Sequence, residues 1–133
     1  MGRLGGRKKH GPEWYIQRDL IEFMVDRGWY VKRMHGNLYQ TGVPDLLCLH
    51  KKWGTRWIDV KQPNRYTFTK DQRREWPIWD EFRTGIWILT AATQEQYDLL
   101  FQPPNWRNYW KPSWGIVPDI DELLAQLEQE DAD

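Results

Sequence analysis

Asp45, in Pro44-Asp45, and Asp59, in Asp59-Val60-Lys61, stand fourteen residues apart. Each borders or lies in a short apolar run, residues 46–49 and 57–60, of the kind that forms a buried strand. Side chains alternate along a strand, so Trp57, Asp59 and Lys61 share one face while Ile58 and Val60 share the other. Asp45 opens the preceding strand, and pairing of the two runs as a hairpin brings it within reach of Asp59. Two carboxylates converging there make a hard oxygen site suited to Mg²⁺ or Mn²⁺, ions that keep several waters and bridge to phosphate oxygens. Such an ion lowers the pKa of a bound water and neutralises charge building on the phosphate. Lys61 beside it positions or deprotonates the attacking water and stabilises the oxyanion. Taken alone, Asp59 and Lys61 describe an ordinary exposed ion pair on a strand equally well.

The elements that must hold these groups can be read in order. Residues 1–11 read as a flexible basic arm, with Arg3, Arg7, Lys8 and Lys9 among four glycines. Pro12 and Glu13 suit a helix start, Ile16, Leu20, Phe23 and Met24 follow at helical spacing, and Gly28 ends the element. Residues 29–34 alternate apolar and basic groups as a half-exposed strand does, and residues 35–42 form a polar, glycine-bounded turn region. A turn over 51–54 joins the strand at 46–49 to the one at 56–61. Thr69 caps a helix reaching about residue 82, which Pro77 must end or kink unless the helix is shorter. Residues 86–89 are a further strand, and Thr93 caps a helix to about residue 101. A tryptophan-rich loop over 103–115 follows. Asp119 and Glu122 make a capping arrangement for a last helix with an apolar stripe of Ile120, Leu123, Leu124 and Leu127. The order helix, three strands, helix, strand, helix fits an α/β fold with a central mixed sheet flanked by helices.

Composition limits the function classes. At 133 residues the chain suits one domain. It has no apolar stretch of membrane-spanning length and no signal-peptide core, which excludes a membrane partner. A single cysteine, Cys48, rules out an internal disulfide framework and points to a reducing, cytoplasmic setting. Formal net charge is zero, but the seven acids from Asp119 onward meet no base, which leaves 19 bases against 12 acids in residues 1–118, a net of +7. A basic body with an acidic tail is compatible with a nucleic-acid partner. Ser113, the only serine, has no histidine near it. Cys48 and His50 share a strand face but lack a second pair at zinc spacing. No glycine-rich phosphate loop with a lysine is present, so a nucleotide cofactor is not expected.

Gly42-Val43-Pro44-Asp45-Leu46-Leu47, then Trp57-Ile58-Asp59-Val60-Lys61, then Thr69 through Gln72 to Trp76, resembles the PD-(D/E)XK nuclease superfamily. The likeness is nearest the VRR-NUC branch, which is similar to Holliday-junction resolvases, and it covers roughly residues 12 to 90. The resemblance implies a restriction-endonuclease-like core over residues 12–102, with residues 103–133 as a loop and amphipathic helix packing on the same domain. It implies an endonuclease in which Asp45 and Asp59 bind the ion, the Val60 carbonyl adds a ligand and Lys61 assists hydrolysis. Asp59 stands where this branch more often has glutamate, which shortens the reach by one methylene and keeps the charge. The resemblance also implies roles for Gln72, on the helix after the lysine strand, and for Glu13, since an acid on the first helix of such nucleases often reaches the metal. Plain helix-dipole stabilisation accounts for Glu13 about as well. Gln17, one turn later, faces the same way.

DNA contact falls on Lys32, Arg33, Arg65, Lys70, Arg73 and Arg74, basic groups placed by position around the acids. Trp106, Trp110 and Trp114 recur every four residues, interleaved with Arg107 and Lys111. They suit either stacking on unpaired bases or, as such segments more often do, packing onto the core. The expected function is a Mg²⁺- or Mn²⁺-dependent endodeoxyribonuclease for branched or structured DNA, such as junctions or flaps. The alternatives are a site-specific homing or restriction-type enzyme cutting duplex, and a catalytically silent DNA-binding module on the same fold. A homodimer matches the two strands of a symmetric junction, and by analogy alone a small nuclease of this kind suits a phage or mobile element.

Overall fold

In the computed structural model, residues 10–34, 42–111 and 120–132 are described. The first helix, α1 (Pro12–Asp26), starts from an extended Gly11, with Pro12 at its first position and Glu13 at the positive end of its dipole. It ends where Gly28 adopts φ +90°. There Gly28 N–H donates to the Val25 carbonyl and Trp29 N–H to the Met24 carbonyl, the paired bonds of a Schellman turn. The turn drives Trp29 into the core and feeds β1 (Tyr30–Arg33).

Strands β2 (Leu46–His50) and β3 (Gly54–Val60) form the expected antiparallel hairpin, with Leu46 opposite Ile58 and His50 opposite Gly54. Strand β1 pairs antiparallel with β2, Tyr30 opposite Leu49. After β3 the chain crosses over through α2 (Lys70–Glu81) and returns as β4 (Ile86–Leu89), parallel to β3 with Trp57 opposite Ile86. The sheet is therefore mixed, in the order β1-β2-β3-β4 and flanked by helices, an α/β arrangement of the restriction-endonuclease-like kind. Beyond β4, α3 (Gln94–Asp98) runs into a 3₁₀ turn, Leu99–Phe101, and a second one spans Trp106–Tyr109. The Asn105 side chain donates to the Ile88 carbonyl and accepts from its N–H, satisfying the outer edge of β4 much as another strand would.

Both sheet faces are covered. Leu46, Cys48, Ile58, Val60, Trp87 and Leu89 pack with Leu20 and Met24 of α1. On the opposite face Ile86 and Ile88 pack with Phe68, Trp76 and Trp106. Asp59 and Lys61 belong to this second face by alternation, so α2 closes over them.

Two expectations change. Pro77 does not end α2, which continues past it to Glu81, close to the expected limit near residue 82. The helix dispenses with one N–H because the buried Gln72 and Trp76 anchor it from within. Tryptophan Trp106, offered as a base-stacking residue, is 1% exposed and meets Trp76 and Trp110 edge-on, so no base can reach its ring. The last helix, α4 (Ile120–Ala132), is present, and Ile120, Leu123, Leu124 and Leu127 are 49–69% exposed. The basic arm at residues 1–9, the turn region at 35–41, Ser113, Trp114 and the Asp119 cap lie outside the described residues. Among the described residues no helix is long and apolar enough to cross a membrane.

Candidate functional site

The hairpin register sets Asp45 and Asp59 across from one another at the end of the β2–β3 ladder. Each carboxylate accepts a backbone N–H of the other strand: Asp45 Oδ2 from Val60 at 2.8 Å, and Asp59 Oδ1 from Asp45 at 3.2 Å. The loop leading to Asp45 is tied down as well. The Trp76 indole donates to the Gly42 carbonyl at 2.7 Å, and Met34 N–H donates to the Asp45 carbonyl at 2.8 Å. Gly42 sits at φ +84°, and a Cβ there would lie 2.9 Å from the Asp71 carbonyl oxygen of α2. Only glycine lets this segment approach the helix.

Lys61 continues past β3 by donating its N–H to the Leu89 carbonyl. Its Nζ lies 3.0 Å from Asp59 Oδ2 and donates to Gln72 Oε1 at 3.0 Å. The Phe68 and Trp76 rings stand 4.8 and 5.8 Å from the ammonium. Asp59 is 1% and Lys61 4% exposed, so they are not an exposed surface pair. Thr69 and Gln72 form a capping box at the start of α2, which fixes the Gln72 side chain. Its Oε1 accepts both Thr69 N–H and Lys61, while its amide nitrogen stands 3.4 and 3.5 Å from the two Asp59 oxygens. Gln72 thus joins the lysine to the acid.

Electrostatics set this cluster apart from a structural ion pair. Burial pushes the Asp59 carboxyl up to about 8, reinforced by the Asp45 charge and only partly offset by Lys61. Burial also raises Asp45, against the pull of the Val60 N–H, Lys61, Asp59 and Arg33. Both shift upward because one buried ammonium, Lys61, faces two carboxyls, Asp59 fully buried and Asp45 half-buried. The pair is short of positive charge.

Glu13 stands beside this pair on α1. It is half-buried; desolvation raises its pKa, Lys61 and the Gln62 N–H lower it, and Asp45 raises it. Among the described residues no three of His, Cys, Asp and Glu form a group able to hold a metal ion, so Glu13 is not joined with the aspartates as a third acid. Gln17 accepts a bond from Arg33 at 2.9 Å. Arg33, a phosphate contact by the sequence reading, also favours the charged form of Asp45 through its positive charge.

The other basic residues divide. Lys32, Arg65 and Lys70 are exposed, and Arg73 and Arg74 are half-buried on α2. Arg107 pairs with Asp80 at 2.9 Å and covers the Trp106 ring, and the half-buried Trp110 packs against Phe68 and Trp106. The aromatic box around Lys61 leaves only one trace in the sequence, Phe68 and Trp76 placed four residues either side of Gln72.

No family model and no curated protein matches the chain. Among solved structures, one described as a VRR_NUC domain is similar, with a TM-score of 0.57 and 18% identity over 70% of this chain and 98% of that one. The likeness is one of fold.

Proposed function

We propose that this chain is a Mg²⁺- or Mn²⁺-dependent DNA endonuclease acting on branched or otherwise structured DNA. The observation that carries the reading is the pair of the buried Asp59 and the half-buried Asp45, with one ammonium 3.0 Å from Asp59 and an amide bridging lysine and acid. Two crowded carboxyls with raised pKa favour a second cation. Mg²⁺ and Mn²⁺ suit two carboxylates because they keep several waters, whereas a zinc site normally recruits three or four protein ligands. Asp45, Asp59 and the Val60 carbonyl would hold the ion, which supplies Lewis-acid polarisation of a phosphate oxygen and a more acidic water.

The chain's own groups do the remainder. The backbone N–H groups of Val60 and Asp45 orient the two carboxylates. Lys61, positioned by Gln72 and boxed by Phe68 and Trp76, directs an N–H at the reacting phosphate and stabilises its growing charge. Glu13, beside Lys61, is placed to orient a water. Lys32, Arg65 and Lys70 hold flanking phosphates, with Arg33 serving both substrate and Asp45. A restriction-type enzyme and a silent binding module remain the competing readings.

The test is a cleavage panel of four-way junction, flap, duplex and single strand, with Mg²⁺ and with Mn²⁺. Wild type should cut a branched substrate, and Asp59→Ala or Lys61→Ala should slow cutting by about 10²–10⁴-fold. Cutting that survives Asp59→Ala would sink the assignment. Preference for duplex at one sequence would establish the restriction-type reading, and binding without cutting the silent one.

A further inference from the structure

Beside Glu13 the surface opens into a cleft of about 560 Å³, within the range of roughly 300–1,000 Å³ typical of ligand sites. Its wall is the segment joining β3 to α2, Gln62, Asn64, Arg65, Tyr66 and Thr67, with Lys111 completing the lining. Three features separate it from an ordinary surface groove. The half-buried Tyr66 ring is held at a fixed angle by edge-to-face contacts, 5.2 Å from Tyr109 and 6.4 Å from Phe68. The side chains of Gln62, Asn64 and Thr67 make no hydrogen bond among the described residues, so their donors and acceptors are open. Arg65 is exposed and makes no ion pair among them.

The cleft is also wired to the site. Gln62 follows Lys61 directly, and its N–H is donated to Glu13, which feels Lys61 and Asp45. A ligand in the cleft would lie against Glu13, the acid that senses Lys61 and Asp45.

We propose that this cleft takes one unpaired nucleotide of the substrate strand next to the scissile phosphate, its base on Tyr66 and its phosphate on Arg65. This rests on the DNA-cleaving reading and narrows it to substrates with single-stranded character at the cut. An aromatic ring in a concave wall can stack only a base already free of a duplex stack. Amide side chains carry both donors and acceptors, matching the edge of such a base, and a guanidinium matches phosphate. The Tyr66 ring already packs edge-on against Tyr109, which lowers the ordering that stacking costs.

The test scans a single-stranded extension on a duplex, replacing one nucleotide at a time by an abasic site, with binding measured in EDTA. One position should lose about tenfold or more in affinity when its base is deleted. Tyr66→Leu should cause the same loss on the intact strand and no further loss on the strand abasic at that position, while Tyr66→Phe should bind as wild type. Asn64→Ala, exposed and remote from the core, should level any preference among the four bases there. Equal loss from Tyr66→Leu on every abasic strand, or an unchanged base preference in Asn64→Ala, overturns the proposal. Because these readouts need no hydrolysis, coupling in a protein that cuts nothing would refute the nuclease reading alone. Cutting without coupling would refute the cleft alone.

Discussion

Asp59 carries most of the site's character at the scale of single residues. Its folded pKa lies above its ordinary value of 3.8, at about 8, so between those values the folded chain binds more protons than the unfolded one. Stability from this group is therefore fully present below about pH 4 and is lost as pH rises towards 8. Asp45, raised in the same direction, adds to the effect. Denaturant titrations in EDTA at pH 5.5 and 8 should show the metal-free protein losing stability at the higher pH, and Asp59→Asn should flatten that difference. Added Mg²⁺ should stabilise the wild type more at pH 8 than at pH 5.5, since protons compete for the same oxygens. A wild type and Asp59→Asn with parallel profiles would contradict the assignment. Cys48, by contrast, is an inert core thiol, pushed up to about 12 by burial.

At the scale of elements, the site depends on how two segments turn. Gly42 brings the segment before Asp45 against α2, and Gly42→Ala meets both a positive φ and a carbonyl oxygen at 2.9 Å. It should destabilise by about 1–3 kcal/mol and, by moving Asp45, weaken metal binding as well. The end of α2 shows the opposite case. Arg83 is exposed and holds φ 62°, while its N–H and that of Thr84 close a Schellman turn onto Asp80 and Trp79. A non-glycine residue there costs about 1–2 kcal/mol of left-handed strain. Arg83→Gly should therefore raise the free energy of unfolding by about 0.5–1 kcal/mol once the greater freedom of the unfolded chain is counted, read as a higher denaturant midpoint. No gain would mean that the arginine side chain compensates.

Over the whole molecule, charge and apolar surface are unevenly placed. Residues 1–118 carry a net +7, and every acid from Asp119 onward lacks a nearby base in the sequence. The α4 stripe of Ile120, Leu123, Leu124 and Leu127 is exposed, an unusual state for four large apolar side chains on one helix face. We expect that face to meet a second copy, giving a two-fold dimer with one site for each strand of a symmetric junction. Light scattering at micromolar concentration should give a mass of two chains, reduced to one by Leu124→Glu. A mass of one chain for the wild type would rule the dimer out.

Much of the site was legible in the chain. Alternation along a strand decides which residues share a face, so Asp59 with Lys61, and Ile58 with Val60, followed from residue order. The glycine stop at Gly28 and the Thr69 cap followed from backbone chemistry that depends on local sequence alone. Pro77 did not follow, because a helix tolerates a lost hydrogen bond only when long-range packing, here through Trp76, supplies the stability. For Trp106 the sequence left base stacking and core packing both open, with packing the more usual, since the ring that stacks a base is chemically the ring that fills a core; its burial decided for packing. The sequence by itself determined that two carboxylates and a lysine would converge, because periodicity and order are local properties. Only the tertiary structure decided that Asp59 and Lys61 would be buried and Asp45 half-buried. Closure by α2 and the Phe68–Trp76 box depends on contacts between distant residues, and that closure withdraws water and turns an ordinary Asp–Lys pair into a site short of positive charge.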